Sequence, residues 1–278
     1  MQQALPSISP AELHARLGTA AAPIVVDVRR PADFAKAGEL IISAVHRDPD
    51  EVERWRKDLP SGRQVAVHCV HGHQVSQGAA AALRAAGVDA SYLQGGIADW
   101  IAEGLPTRRT IGATPGKWVT RERPKIDRIA CPWLIRKFVD ADAEFIFVPS
   151  AQVLAKAAEL DAIPFDVEGV ELTHDGPLCS FDAILKKYNL TDPALAELAV
   201  IVRGADTAAL HLAPQAAGLL AISLGLSHNF RDDHEQLAQG FVIYDALYSW
   251  SKFVRAETHT WNPQRNTGAN ASGPSPRL

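Results

Sequence analysis

Apolar residues in the first hundred positions fall in short runs separated by polar, turn-rich or helically spaced stretches. Residues 24–29 read IVVDVR, 38–45 carry LIISAV, 65–67 are VAV and 90–93 are ASYL; short runs rich in β-branched residues predict strands. Helical segments lie between them. Ser9, Pro10 and Glu12 form a helix start over 10–17, in which Ser9 caps, Pro10 suits the first turn and Glu12 completes a capping box. Residues 31–37 predict a helical turn and 50–58 a charged helix around Trp55. The run SQGAAAALRAAG from Ser76 predicts an Ala-rich helix stopped at Gly87. Strands alternating with helices imply an α/β unit. Its parallel sheet is covered on both faces and its functional loops sit at the carboxyl ends of the strands.

From Leu105 the pattern changes. LPTRRTIGATPGKWVTRERPK has no apolar period and reads as a connector, with the linker proper at 108–117. Arg108, Arg109, Arg121, Arg123 and Lys125 make it the most basic part of the chain, either solvated or lining an anion site or partner contact. DRIACPWLIRKFVD then predicts a helix with Pro132 in its first turn, Cys131 near the N-cap and Trp133, Leu134 and Phe138 as an apolar stripe. EFIFV from Glu144 predicts a strand and SAQVLAKAAEL a helix. VEGVELTHDG predicts a strand or hairpin ending at Asp175-Gly176, with Val170, Leu172 and His174 on one face. Helical spacing returns around 181–188, 193–202, 214–224 and 232–254, the last opened by a capping box of Asp232 and Glu235. The chain thus divides into a parallel-sheet unit at 7–107, the linker, a helix-rich mixed α/β unit at 118–255, and a polar, Gly- and Pro-rich tail at 256–278 that is expected to be disordered.

Length and composition suit two soluble domains: 278 residues, 47 % hydrophobic and 22 % charged. The net charge of -4 argues against a general nucleic-acid surface. Cys69, Cys131 and Cys179 are too scattered for a disulfide framework and form no CxxC pair, which fits a reducing compartment. The start MQQALPSISP lacks a basic, then apolar, leader, and no run approaches the roughly 18 apolar residues of a membrane span. A cytoplasmic protein without a membrane partner is expected.

The chemistry concentrates in VAVHCVHGHQVS, residues 65–76, where a buried strand hands over to a helix through Cys69. Cys69, Val70, His71, Gly72, His73 and Gln74 form a loop able to turn its backbone N–H groups toward one point. Such a nest at a helix N-terminus stabilises an anion and lowers a thiol's pKa, giving a nucleophilic sulfur beside an oxyanion pocket. The alternative is a buried structural cysteine. Cys131 has the same two readings, reactive thiol or buried cap.

This stretch resembles the active-site loop of rhodanese-type sulfurtransferases, in which a cysteine followed by a short loop carries a persulfide. Asp27 and Arg29 in IVVDVR resemble that family's first core strand, and Gly95, Gly96 and Trp100 in QGGIADW its closing turn and helix. The resemblance covers roughly residues 7–107. It implies a rhodanese-like fold and a thiosulfate or sulfane-sulfur sulfurtransferase, with Cys69 as nucleophile and residues 70–74 holding the anion. Its partners would be a small-molecule sulfur donor and a thiol acceptor, and sulfur transfer would require no cofactor. Active members commonly carry an arginine in the loop; here His71, His73 and Gln74 stand instead, and Glu39 stands where a histidine is frequent. The same fold serves dual-specificity phosphatases, whose longer loop ends in arginine; neither feature is present.

Further on, DRIACPWLIRKF, ELTHDGPLCSFDAI, RGADT, APQAAGLLAISLGL and DDHEQLAQGFVIYDALYSW are similar to the C-terminal domain of chromate-resistance protein B, over about residues 118–254. That resemblance implies an association with bacterial chromate-resistance operons and makes chromate or another oxyanion a candidate ligand. A chromate- or metal-responsive sensor without efficient turnover is therefore the alternative to an enzyme. His174, Asp175, Asp182, Asp206, His211, His228 and His234 are suitable metal donors by type, without H-x-x-x-H or HExxH spacing. His174 and Asp206, both at element ends, are the preferred pair for a divalent metal. In the competing reading, Asp206 and Asp127 pair with Arg203 and Arg128 or cap helices.

Overall fold

The computed structural model describes residues 4–19, 21–110 and 116–257. Its first half runs β1 (Ser7–Ile8), α1 (Pro10–Arg16), β2 (Ile24–Asp27), α2 (Pro31–Ala35), β3 (Glu39–Ile41), β4 (Val45–His46), α3 (Val52–Trp55), β5 (Val65–His68), α4 (Gln74–Ala85), β6 (Ala90–Leu93), α5 (Gly96–Ala102) and β7 (Thr107–Arg109). Five of these strands form a parallel sheet in the order β1-β6-β5-β2-β4. The central strand, β5, is buried along its whole length. Ala66 packs in a cluster with Leu13, Ile97 and Trp100, whereas Val65 and Val67 pack with Ala79, Ala80 and Leu83. Both faces are therefore covered, as a parallel sheet requires. Strand register places Asp27 between His68 and His46, so a polar row closes the carboxyl end of an otherwise apolar sheet.

The first helix starts as its cap residues dictate: Ser9 accepts the Glu12 N–H at 3.2 Å, with Pro10 as the first helical residue. The helix expected over 50–58 is a short α-helix, α3, between two 3₁₀ turns. The single strand expected over 38–45 is split. Ser43 adopts φ 70°, which breaks the ladder, so β3 pairs antiparallel with β7 and only β4 joins the parallel sheet. That pairing also corrects the linker: Arg108 and Arg109 lie in β7, and Arg108 is buried with its guanidinium donating to the Ala44 carbonyl at 3.2 Å. Residues 111–115 of the expected linker, and 258–278 of the expected disordered tail, lie outside the described residues.

The second half runs β8 (Lys117–Arg121), α6 (Asp127–Phe138), β9 (Glu144–Val148), α7 (Val153–Leu160), β10 (Ile163–Pro164), α8 (Ser180–Tyr188), α9 (Pro193–Asp206), α10 (Pro214–Asn229) and α11 (Asp233–Ser249). A small parallel sheet, β10-β8-β9, packs with the helices. Helix α6 is the core helix, and it starts five residues before the expected position. Burial of Ile129 and Ala130 draws the DRIA segment into the helix, so Pro132 sits inside it and Cys131 lies away from the N-cap, fully buried. The segment 167–176 is no regular strand. Gly169 at φ 85° interrupts it, leaving isolated bridges and an Asp175–Leu178 turn with Gly176 at φ 57°. His174 consequently does not share the buried face of Leu172; it is 41 % exposed, against 1 % for Leu172.

The two halves share one apolar cluster, which joins Leu13, Leu17, Leu40 and Trp100 to Trp118, Leu195 and Tyr248. Lys252 donates to the carbonyls of His14 and Leu17 at 3.1 and 3.0 Å, and Arg47 pairs with Asp142 at 2.8 Å. Among the described residues no helix is long and apolar enough to cross a membrane.

Candidate functional site

Cys69 leaves the carboxyl end of β5 and is 7 % exposed. Its Sγ lies 3.2 Å from the Oγ of Ser76 in the first turn of α4, and that hydroxyl also reaches the His73 carbonyl at 3.2 Å. Burial alone would raise the thiol. The Ser76 hydroxyl and the backbone N–H groups of Ser76, His73 and His71 outweigh it, and Cys69 is held below the ordinary thiol value. A lowered thiol at a helix N-terminus is a nucleophile near neutral pH.

The loop is shaped from behind by α5. Ile97 and Ala98 donate to the carbonyls of Cys69 and Val70 at 3.0 and 2.9 Å. This approach needs Gly96 at φ 61°, where a Cβ would lie 2.5 Å from the Cys69 carbonyl oxygen and 2.6 Å from the Gly72 nitrogen. Below the site, Arg29 grips Asp27 with Nε at 3.0 and 2.9 Å from its two oxygens, and also donates to the Glu39 carbonyl at 3.0 Å. Burial pushes the Asp27 carboxyl up, but His68 and the Arg29 guanidinium bring it below its ordinary value. Burial pushes His68, a fully buried ring beside Cys69, below its ordinary value, against the opposing pull of Asp27.

Cys69 opens onto a cleft of about 440 Å³. Val70, His71, His73 and Gln74 line it; Gly72, the remaining residue of the expected anion loop, is buried and does not. Arg29, Arg30 and Asp33 line the same cleft. Arg29 is committed to Asp27, whereas Arg30 is 59 % exposed and, among the described residues, makes only a 3.3 Å surface pair with Asp50. A cationic side chain from the β2–α2 turn therefore lines the cleft, although the loop contains none. Its signal in the sequence was the second arginine of IVVDVRR, three residues beyond the end of the strand beside β5. Cys131 and Cys179 are fully buried and their thiols are pushed up, chiefly by burial and then by Asp127, which removes Cys131 as a reactive thiol.

A second cluster gathers in the other half. His174 Nε2 lies 3.0 Å from Asp206 Oδ2 at the end of α9, and 3.7 Å from both Asp127 Oδ2 at the start of α6 and Asp166 Oδ1. Asp127, His174 and Asp206 can each offer one donor atom, all within 4.8 Å of one another. Sequence reasoning paired His174 with Asp206, but assigned Asp127 to a competing role and passed over Asp166. The expected ion pairs are also different. Arg203 binds Asp182 at 2.6 Å, and Arg128 binds Asp166 at 3.2 Å, so that among the described residues neither Asp127 nor Asp206 is paired with an arginine. Burial, then the neighbouring carboxylates, pushes Asp127 well up; burial and Asp166 push Asp206 up against the opposing pull of His174. The remaining donors considered from sequence, Asp175, Asp182, His211, His228 and His234, stand outside this group.

Residues 9–103 match the family described as the rhodanese-like domain, and residues 118–251 match that described as ChrB, C-terminal domain. Protein ChrB of Cupriavidus metallidurans is 29 % identical over 207 residues, which are 73 % of this chain; the match spans 62 % of that relative's length. Among solved structures, a rhodanese-related protein from Thermoplasma volcanium is 30 % identical with a TM-score of 0.33, the match covering 37 % of this chain and 96 % of that one. A thiosulfate sulfurtransferase from Pseudomonas aeruginosa is 26 % identical with a TM-score of 0.34, over 38 % of this chain and 20 % of that one. The alternating parallel sheet with Cys69 at its carboxyl end and the helix-rich unit behind it are thus a rhodanese-like domain joined to a ChrB C-terminal domain.

Proposed function

We propose that this protein is a cytoplasmic sulfurtransferase whose rhodanese-like domain carries sulfur as a persulfide on Cys69, joined to a domain associated with chromate resistance. The observation that carries this reading is the Cys69 thiol, held low by Ser76 and loop N–H groups in a cleft that Arg30 also lines. In the first step the Cys69 thiolate attacks the outer sulfur of thiosulfate. The sulfur–sulfur bond of the donor breaks, sulfite leaves with the electron pair, and Cys69 holds a persulfide anion. Arg30 and the loop, residues Val70 to Gln74, accommodate the sulfonate end, and the N–H groups of His71, His73 and Ser76 hold the charge on sulfur. In the second step an acceptor thiol takes the outer sulfur, leaving as a persulfide, and the Cys69 thiolate is restored. No cofactor enters either step. A reducing cytoplasm suits this chemistry, since it keeps Cys69 and the two buried cysteines as thiols.

Sulfite release from thiosulfate in the presence of a small thiol tests the reading. Wild type should turn over, Cys69→Ser should not, and Arg30→Ala should raise the thiosulfate KM with less change in kcat. Turnover retained by Cys69→Ser would reject it. One observation favours a second reading, oxyanion sensing without efficient turnover. A cleft of about 1050 Å³, lined by Arg109 from the first half and by residues of the ChrB C-terminal domain, carries Arg109, Lys186, Lys187 and His174 beside Glu171, Asp175 and Asp182, and its cationic side chains could take chromate or a similar dianion. Chromate binding by the full chain with no sulfite release would favour that reading.

A further inference from the structure

Three carboxylates and one imidazole meet where the start of α6, the loop before α8 and the end of α9 converge. They are unequally neutralised. Asp166 has two guanidinium partners, Arg121 at 2.8 Å and Arg128 at 3.2 Å, and accepts the Ser180 hydroxyl at 2.8 Å. Asp127 is 1 % exposed and has no arginine partner among the described residues. Its Oδ2 accepts the Ser180 N–H at 2.6 Å, and its Oδ1 is buried with no hydrogen-bond partner among the described residues. A buried carboxylate oxygen with no donor is a costly arrangement that a bound cation would resolve. Asp206 faces the same point from the other side, with His174 as its partner at 3.0 Å.

We propose that Asp127, His174 and Asp206 form a binding site for a divalent first-row transition-metal ion, with Asp166 as the arginine-held carboxylate beside it. The spacing suits this. Two donors bound to one ion at about 2.1 Å stand roughly 3.0 to 3.4 Å apart, and the observed separations of 3.0 and 3.7 Å bracket that range. The donor set selects the ion class. One imidazole with two carboxylates is softer than the all-oxygen shell of calcium or magnesium and harder than the thiolate sites of copper(I), which leaves ions such as manganese, iron(II) and zinc. An entry path exists, because His174 lines both the large cleft and a smaller one of about 360 Å³ beside Arg121 and Asp166. Bound there, the ion takes the place of the His174–Asp206 contact, with the Asp127 carboxylate, whose Oδ2 is 3.7 Å from His174 Nε2, as its buried ligand.

The test is titration of the metal-stripped full chain with Mn2+, read by loss of the free-ion paramagnetic resonance signal, and with Zn2+, read by thermal melting. Wild type should take up one equivalent and melt higher with increasing ion. His174→Ala, Asp206→Asn and Asp127→Asn should each weaken uptake about 100-fold or more and abolish the melting shift, with circular dichroism confirming the fold. Asp206, the more exposed of the two carboxylates, decides the matter if Asp127→Asn does not fold. Absence of saturable uptake of both ions by wild type overturns the proposal. So does one-equivalent uptake that survives in the folded Asp206→Asn and His174→Ala variants.

Discussion

Replacing Ser76 with alanine removes the hydroxyl 3.2 Å from Cys69 Sγ, and the structure fixes what that should do. In the thiol form the Ser76 proton serves the His73 carbonyl, also 3.2 Å away. When Cys69 ionises, the hydroxyl turns to the sulfur and gives up that neutral bond. A hydrogen bond to a charged group contributes about 1.5–3 kcal/mol and a neutral one about 0.5–1.5 kcal/mol, so the net preference for thiolate is about 1.4 kcal/mol, roughly ten-fold. The backbone N–H groups of His71, His73 and Ser76 remain in the variant, so part of the lowering should survive. The assay is the second-order rate of iodoacetamide modification of Cys69 against pH, mapped by peptide mass. On the acid limb, where rate follows the small thiolate fraction, Ser76→Ala should be about ten-fold slower, and the two proteins should converge at high pH where both are ionised. Superimposed profiles would refute the role given to Ser76. A uniform loss at all pH values would show that the hydroxyl acts on access to the sulfur rather than on its ionisation.

Two further perturbations probe the frame of the site. Arg29→Met leaves Asp27 buried with its guanidinium partner gone and should cost about 3–5 kcal/mol in chemical denaturation. Because Asp27 sits below its ordinary 3.8 in the folded state, its contribution is present above that pH and is lost as pH falls through the folded value; Asp27→Asn should remove that part of the acid limb. Gly96→Ala, whose Cβ would meet the Cys69 carbonyl oxygen at 2.5 Å in a left-handed backbone, should destabilise by about 1–3 kcal/mol and slow Cys69 alkylation by displacing the loop. Unchanged stability and alkylation would show that the loop does not depend on this turn.

What the sequence revealed of the fold was what local pattern encodes. The VAV run, the cysteine behind it and the Ala-rich helix are consecutive, so their junction could be read directly, and the QGG turn could be linked to it by resemblance. The LIISAV run misled because one positive-φ serine divides it, and side-chain type alone does not announce that break. Pro132 misled for a different reason: proline is a good guide to helix starts, but burial of Ile129 and Ala130 extended α6 past it. At the second cluster, His174 and Asp206 were legible as residues at element ends. Asp127 and Asp166 were not, because they join through contacts between segments far apart in sequence, anchored together by Ser180. The same holds for Arg30, which reaches the cysteine cleft only because β2 and β5 are neighbours in the sheet.

Sulfur loading on Cys69 is tested most directly by the intact mass of the full chain after brief exposure to thiosulfate. Wild type should gain the mass of one sulfur atom, reversible by a small thiol, and Cys131→Ser and Cys179→Ser should retain the gain, since both of those thiols are buried. Cys69→Ser should gain nothing. A sulfur adduct persisting in Cys69→Ser, or none in a wild-type protein whose Cys69 alkylates readily, would contradict the persulfide.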